Sequence, residues 1–279
     1  MTSSITATVI ADSVSSYGKR ITTLQLKYPR FIHSEFMTHR VFSRNSASSR
    51  AIPAAKMIEQ VRNDPAMPVY WGLNQPGMQA AKEHDNVQSA RFYWASAALS
   101  AAIQAQHLAD LGLHKQIVNR PLEPFQWMHT IVTATEWDNF FELRCHPDAQ
   151  PEFQVLTNAI RTAMGSSVPV ARSRSLEWQE AWHLPYVSDE EREAHGTALL
   201  LKISAARCAR VSYLKHDGTE PSVSDDLALF DRLVGSKPRH ASPIEHQAHV
   251  TNSNCRSRNF LGWCQYRELY EQGMLNDNR

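Results

Sequence analysis

Thr38-His39-Arg40-Val41-Phe42-Ser43-Arg44-Asn45-Ser46-Ala47-Ser48-Ser49-Arg50 packs three arginines, a histidine, an asparagine and four serines into thirteen residues. Apolar side chains are nearly absent, so the stretch does not exist to fill a core. A guanidinium offers a planar fork of donors, and Ser and Asn add neutral ones, so such a run can surround a phosphate. Composition alone fits a solvated Ser/Arg-rich loop equally well. Two observations weigh against the loop. The run follows an apolar-patterned segment directly, and further arginine-containing motifs lie far downstream.

Working upstream, residues 5–12 and 21–27 alternate β-branched with small or polar residues, and Gly18 lies between them. This pattern predicts a β-hairpin. Pro29 then opens a helix carrying Phe31, Ile32, Glu35, Phe36 and His39 at helical spacing. The arginine/serine run therefore falls at or just beyond a helix C-terminus.

Downstream, residues 64–77 are rich in Pro and Gly and read as a loop. Residues 86–113 predict a long Ala-rich helix ended by Gly112, and Pro121 and Pro124 make 117–124 a bend. Residues 127–135 predict a strand, 138–144 open a helix, and 149–164 form an amphipathic helix. Polar, acidic residues 187–196 are the best linker candidate. A short helix is expected over 225–234, a helix or turn from Pro243, a strand over 248–252 and a final helix over 260–272. The expectation is an α/β or α+β protein, one domain over 1–279, without tandem repeats.

The chain has 279 residues and 42% hydrophobic content, enough for one large core or two modest ones. With 29 basic and 28 acidic residues it lacks the excess a polyanion binder carries, so stable nucleic-acid binding is not expected. A small anion held by a few arginines remains compatible. Cys145, Cys208, Cys255 and Cys264 show neither CxxC nor zinc spacing, so no metal and no disulfide is expected. The first residues lack the pattern of a signal peptide, and no apolar run matches a bilayer. A soluble, cytoplasmic protein is expected.

Three further constellations carry chemistry. Asn119-Arg120-Pro121-Leu122-Glu123-Pro124 holds Arg120 on a stiff bend, suited either to a ligand clamp or to a helix C-terminus. Asn139-Phe140-Phe141-Glu142-Leu143-Arg144 places a guanidinium behind apolar residues, where it needs an acceptor such as Glu152 or a ligand. His240-Ala241-Ser242-Pro243-Ile244-Glu245-His246 reads as a capping box or as an anion-binding helix start. No GxGxxG, P-loop or GxSxG motif occurs. Cys145 and His146 are the only adjacent Cys/His pair.

Taken together, these blocks resemble the flavin-dependent thymidylate synthases, the ThyX family. His39, Arg40, Ser48 and Arg50 match its Arg-His-Arg…Ser-x-Arg signature, with Thr38 in place of the first Arg. The block from Asn139 to Arg144 and Ala149-Gln150-Pro151-Glu152 resemble a second family block. Ala206-Arg207-Cys208-Ala209-Arg210-Val211-Ser212-Tyr213 and the block from His240 to His246 resemble two that normally precede the signature. Here both follow it, so the chain looks circularly permuted, with 187–196 joining the ancestral termini.

The resemblance implies a mixed sheet flanked by helices and a homotetramer with sites shared between subunits. It implies FAD, with methylenetetrahydrofolate and NADPH as cosubstrates, and reductive methylation of dUMP to dTMP without a cysteine nucleophile. His39, Arg40, Asn45, Asn139, Ser212, Ser242 and Glu245 would then contact the flavin cofactor. Glu35, Ser48, Ser49, Arg50, Arg120 and Arg144 would bind the nucleotide, with Arg144, Ser48 and Arg50 acting at the reacting centre. Glu35 replaces a common Gln, and Ser46 a common Glu. Hydroxymethylation of dUMP or dCMP, or a noncatalytic nucleotide- or flavin-binding role, are the alternatives these departures leave open.

Overall fold

Alternating β-branched residues near the start of the chain pair as expected. In the computed structural model, which describes residues 4–173, 180–211 and 222–275, β1 (Thr6–Ser15) runs antiparallel to β2 (Arg20–Pro29). Gly18 takes the left-handed φ of 76° in the turn between them. The main sheet adds β3 (Ser43–Ser46), β4 (Trp127–Ala134) and β5 (Val170–Arg172), in the order β3-β4-β2-β1-β5. All its pairings are antiparallel except β1 with β5.

β3 corrects the expectation of a helix end followed by a loop. The helix predicted from Pro29 is one 3-10 turn and one α turn, α1 (His33–Phe36). Thr38 Oγ1 then donates to the Glu35 carbonyl, and Arg44 Nη1 donates to those of Phe36 and Met37. Beyond it the chain adopts a strand of polar side chains. Local pattern did not signal this strand, because it is held by the edge of β4.

Three helices follow on one side: α2 (Ala54–Asn63), α3 (Val87–Asp110) and α4 (Lys115–Val118). Met57, Ile58 and Val61 of α2 pack on Ala98, Ala102 and Ala105 of α3, where small side chains allow close approach. α5 (Asp138–Arg144) and α6 (Pro151–Ser166) close the main core. Phe153, Leu156 and Ile160 recur at helical spacing and meet Leu24, Leu26 and Tyr28, the even-numbered positions of β2. Each fully buried side chain of this size contributes about 1.5–3 kcal/mol.

The C-terminal half consists of β6 (Trp182–His183), α7 (Asp189–Ala194), α8 (Thr197–Ala209), α9 (Val223–Leu233), β7 (Ala248–Val250), β8 (Arg256–Ser257), β9 (Phe260–Leu261), β10 (Trp263–Gln265) and α10 (Tyr266–Glu271). The acidic segment 187–196 is therefore mostly a helix. Ser188 and Glu191 form a reciprocal capping box that offsets its polarity. The helix expected over 260–272 begins only at Tyr266, because Gly262 adopts φ 78° and divides two short strands. Among the described residues no helix is long and apolar enough to cross a membrane.

The other face of the sheet is joined to this half by polar groups. Thr23 and Thr133 face each other across β2 and β4, 2.7 Å apart at their hydroxyls. His183 bridges Ser13 and Thr23 at 2.9 and 2.8 Å, and Thr133 reaches His246 Nδ1 at 2.8 Å. Both histidines are fully buried. Burial holds His246 down at about 3 and His183 well below the usual value. The unfolded chain takes up protons below about pH 6.5 that the folded chain refuses. Stability is thus complete above that pH and falls as the pH drops toward 3. We expect the urea midpoint, followed by tryptophan fluorescence, to be clearly lower at pH 4.5 than at pH 7. Equal midpoints would contradict neutral buried histidines.

Candidate functional site

Arg144 ends α5, where its side chain leaves the helix toward α1. Its Nη1 pairs with Glu35, and its Nε donates to His39 Nε2 at 2.9 Å. The guanidinium lies 4.5 Å from the ring centre of Phe153. Glu35 is thus the acceptor, and Glu152 is not. The Glu152 carboxylate accepts instead from the Val69 amide at 2.9 Å. His39 is stacked against Phe42 and edge-on to Phe140. Burial first, then the charges of Arg144 and Arg44, lower it to about 4. It is therefore neutral, with its proton on Nδ1 and the Nε2 lone pair aimed at Arg144.

This cluster opens into a cleft of about 1500 Å³. Phe31, Tyr70 and Trp94 supply aromatic walls, and Glu35, Arg144 and Asn158 supply polar groups. Arg144 Nη2 and the second Glu35 oxygen make no hydrogen bond among the described residues.

A second cluster forms at the turn after β3. Arg50 N donates to Ser48 Oγ at 3.3 Å, and Asn119 Nδ2 donates to the carbonyls of Ser49 at 2.7 Å and Ile52 at 3.1 Å. Lys115 Nζ donates to the Ala51 carbonyl at 3.0 Å. The bend bearing Arg120 is thus clasped to the turn bearing Ser48, Ser49 and Arg50. Arg120 is exposed and pairs with Glu123 at 2.7 Å. Arg40 and Arg50 are exposed and carry no carboxylate among the described residues. Sequence reading did not single out Asn119 or Lys115. Asn119 sits beside Arg120 in the same block, but its clasping role depends on a contact 70 residues away.

At a third place β3 meets the C-terminal blocks. Asn45 Nδ2 donates to the Cys208 carbonyl at 3.2 Å, at the end of α8. Gln265 Nε2 donates to Ser43 Oγ at 3.1 Å and to the Glu245 carbonyl at 3.2 Å. The Glu245 carboxylate pairs with Arg267. Ser242 is exposed in a 3-10 turn whose N-cap is Ala241, and no side chain caps it. The capping-box reading of Ser242 and Glu245 is therefore wrong. Asn139 is exposed on the first turn of α5. Ser212 lies outside the described residues. Cys208 is fully buried and its thiol is pushed up by burial, and Cys145 Sγ has Asn158 as its hydrogen-bond partner at 4.0 Å rather than a base.

Comparison with known proteins adds the following. The sequence model of the family described as thymidylate synthase complementing protein matches residues 20–170, just over half of the chain. Comparison with curated proteins yields no match. A solved structure of a UMP/dUMP methylase, PolB from Streptomyces cacaoi bound with 5-Br dUMP, superposes with a TM-score of 0.49 at 18% identity, covering 58% of this chain and 90% of that one. The same protein bound with 5-Br UMP gives 0.49 at 20% identity, covering 58% and 89%.

Proposed function

We propose, from the premise that this chain belongs to the thymidylate synthase complementing protein family, that it transfers a one-carbon unit to C5 of a pyrimidine deoxynucleotide. FAD would be the cofactor, methylenetetrahydrofolate the carbon donor and NADPH the reductant. The observation that carries this reading is the convergence of distant blocks. Asn45 in the signature run binds the end of α8, and Gln265 ties Ser43 to the turn of Glu245. We propose that those C-terminal blocks stand in a permuted order and that α7 bridges the ancestral termini. A permutation preserves such contacts while changing the chain order.

The donor set fits a dinucleotide cofactor. Arg40 has no competing carboxylate among the described residues, and the Ser242 hydroxyl is not spent on a helix cap. Arg40, Asn45, Asn139, Ser242 and Glu245 would hold FAD, together with Ser212. Bound FAD would supply the reducing hydride and carry the one-carbon unit.

The remaining work falls to the chain itself. Ser48, Ser49, Arg50 and Arg120 hold the phosphate, as neutral and charged donors on two clasped turns. Arg144 directs Nη2 at the ring and favours negative charge developing there. Glu35 and His39 hold that guanidinium in place. The aromatic walls offer faces on which a planar ring can stack. No cysteine is required.

The working assembly proposed is a homotetramer of closed symmetry, which repeats each shared site identically. A purified sample should be yellow, and denaturation after reconstitution should release about one FAD per chain. Failure to bind FAD at any concentration would overturn the assignment.

A further inference from the structure

We propose that the base held at Arg144 is cytosine, so that the nucleotide is a cytidine-type monophosphate, and that Glu35 is the residue that selects it. The inference rests on the function proposed above and names the substrate of that site.

Glu35 and Arg144 line the aromatic-walled cleft side by side. One oxygen of Glu35 pairs with Nη1, and the other has no partner among the described residues. Arg144 Nη2 is equally uncommitted. A ring in the cleft therefore meets an acceptor next to a donor. The guanidinium is held on two further sides. His39 takes Nε at 2.9 Å, and Phe153 lies against the guanidinium face at 4.5 Å. Thr38 Oγ1 donates to the Glu35 carbonyl at 2.7 Å and steadies the backbone that carries the carboxylate.

The two pyrimidines answer this pair differently. Cytosine presents N3, an acceptor, beside its exocyclic amine, a donor. Arg144 then donates to N3 while Glu35 accepts from the amine, in two parallel bonds. The far side of that amine is C5–H, which opposes nothing. Uracil presents its one donor, N3–H, between two carbonyl oxygens. A carboxylate that accepts from it lies close to both carbonyls. Arg144 neutralises one, and the other faces the negative charge at short range, which disfavours uracil. A neutral amide at the same place would suit uracil, since it accepts from N3–H and donates to a carbonyl.

The test is calorimetric titration of the FAD-loaded full chain with dCMP and with dUMP, for the wild type and for Glu35→Gln. The wild type should bind dCMP at least about fivefold tighter than dUMP, and Glu35→Gln should reverse the order. Each result is a ratio of two ligands on one protein, so partial unfolding of the variant cancels. Wild type binding dUMP as tightly as dCMP, or tighter, overturns the inference and leaves the parent function standing. A preference for dCMP that survives Glu35→Gln overturns Glu35 as the selector. Binding of neither nucleotide overturns the parent function as well.

Discussion

Replacing Arg144 by alanine should lower turnover by about 100- to 1000-fold while FAD remains bound. The expectation follows from where the guanidinium stands. It is 13% exposed, braced by Glu35 and His39, and backed by Phe153. A donor fixed in this way loses little by reorganising when charge develops on the ring. Removing it also leaves the buried His39 imidazole without its donor, which costs about 1–3 kcal/mol of stability. Arg144→Lys should not restore activity, because an ammonium cannot pair with Glu35, donate to His39 and reach the ring as one rigid plane. A titration separates this role from mere packing. The charge of Arg144 helps hold His39 near 4, so in Arg144→Ala the imidazole, followed by NMR, should titrate higher. Turnover above about a tenth of wild type would sink the assignment of Arg144.

Asp226→Ala should be strongly destabilising, at about 3–5 kcal/mol. Asp226 is fully buried and accepts from Arg207 Nε at 2.9 Å, Arg210 Nε at 2.9 Å and Arg210 Nη2 at 2.6 Å. Arg207 also forks Glu191 of α7 at 2.8 and 2.6 Å. One carboxylate thus balances two guanidiniums that are 21% and 12% exposed. Removing it leaves Arg210 without that partner and Arg207 dependent on Glu191 alone among its carboxylates. The damage should reach the site, because the same end of α8 presents the Cys208 carbonyl to Asn45. Urea unfolding should show the loss, and FAD affinity should fall with it. Asp226→Asn should cost less than Asp226→Ala, since it keeps one acceptor oxygen, although it loses the charge and turns an amide NH2 toward one guanidinium. A loss below about 1 kcal/mol for Asp226→Ala would contradict the network.

The elements that were legible in the sequence are the long, locally periodic ones. The hairpin of β1 and β2, the Ala-rich α3, β4 and the amphipathic α6 all stand close to where period and punctuation put them. The elements that were not legible depend on distant partners or on a misread local signal. β3 is polar throughout, and its hydroxyls and amide are satisfied by Thr130, Cys208 and Gln265. α7 did carry its signal, Ser188 followed by Glu191, beneath an acidic composition that suggested a linker.

The sequence by itself supplied the side chains proposed to carry the chemistry: the arginine, serine and asparagine donors of the signature run, Arg120 on its bend, and Arg144 behind its apolar helix. It also determined the family, through motifs whose residue types and spacing persist in chain order within each block. Only the tertiary structure decided the partners. It paired Arg144 with Glu35 across 109 residues rather than with nearby Glu152, lowered His39 through burial, and clasped the Arg120 bend to the Arg50 turn through Asn119. The physical reason is that hydrogen bonds and ion pairs act over a few ångströms of space. Chain order states which groups exist, and packing of the apolar faces states which of them come within that range.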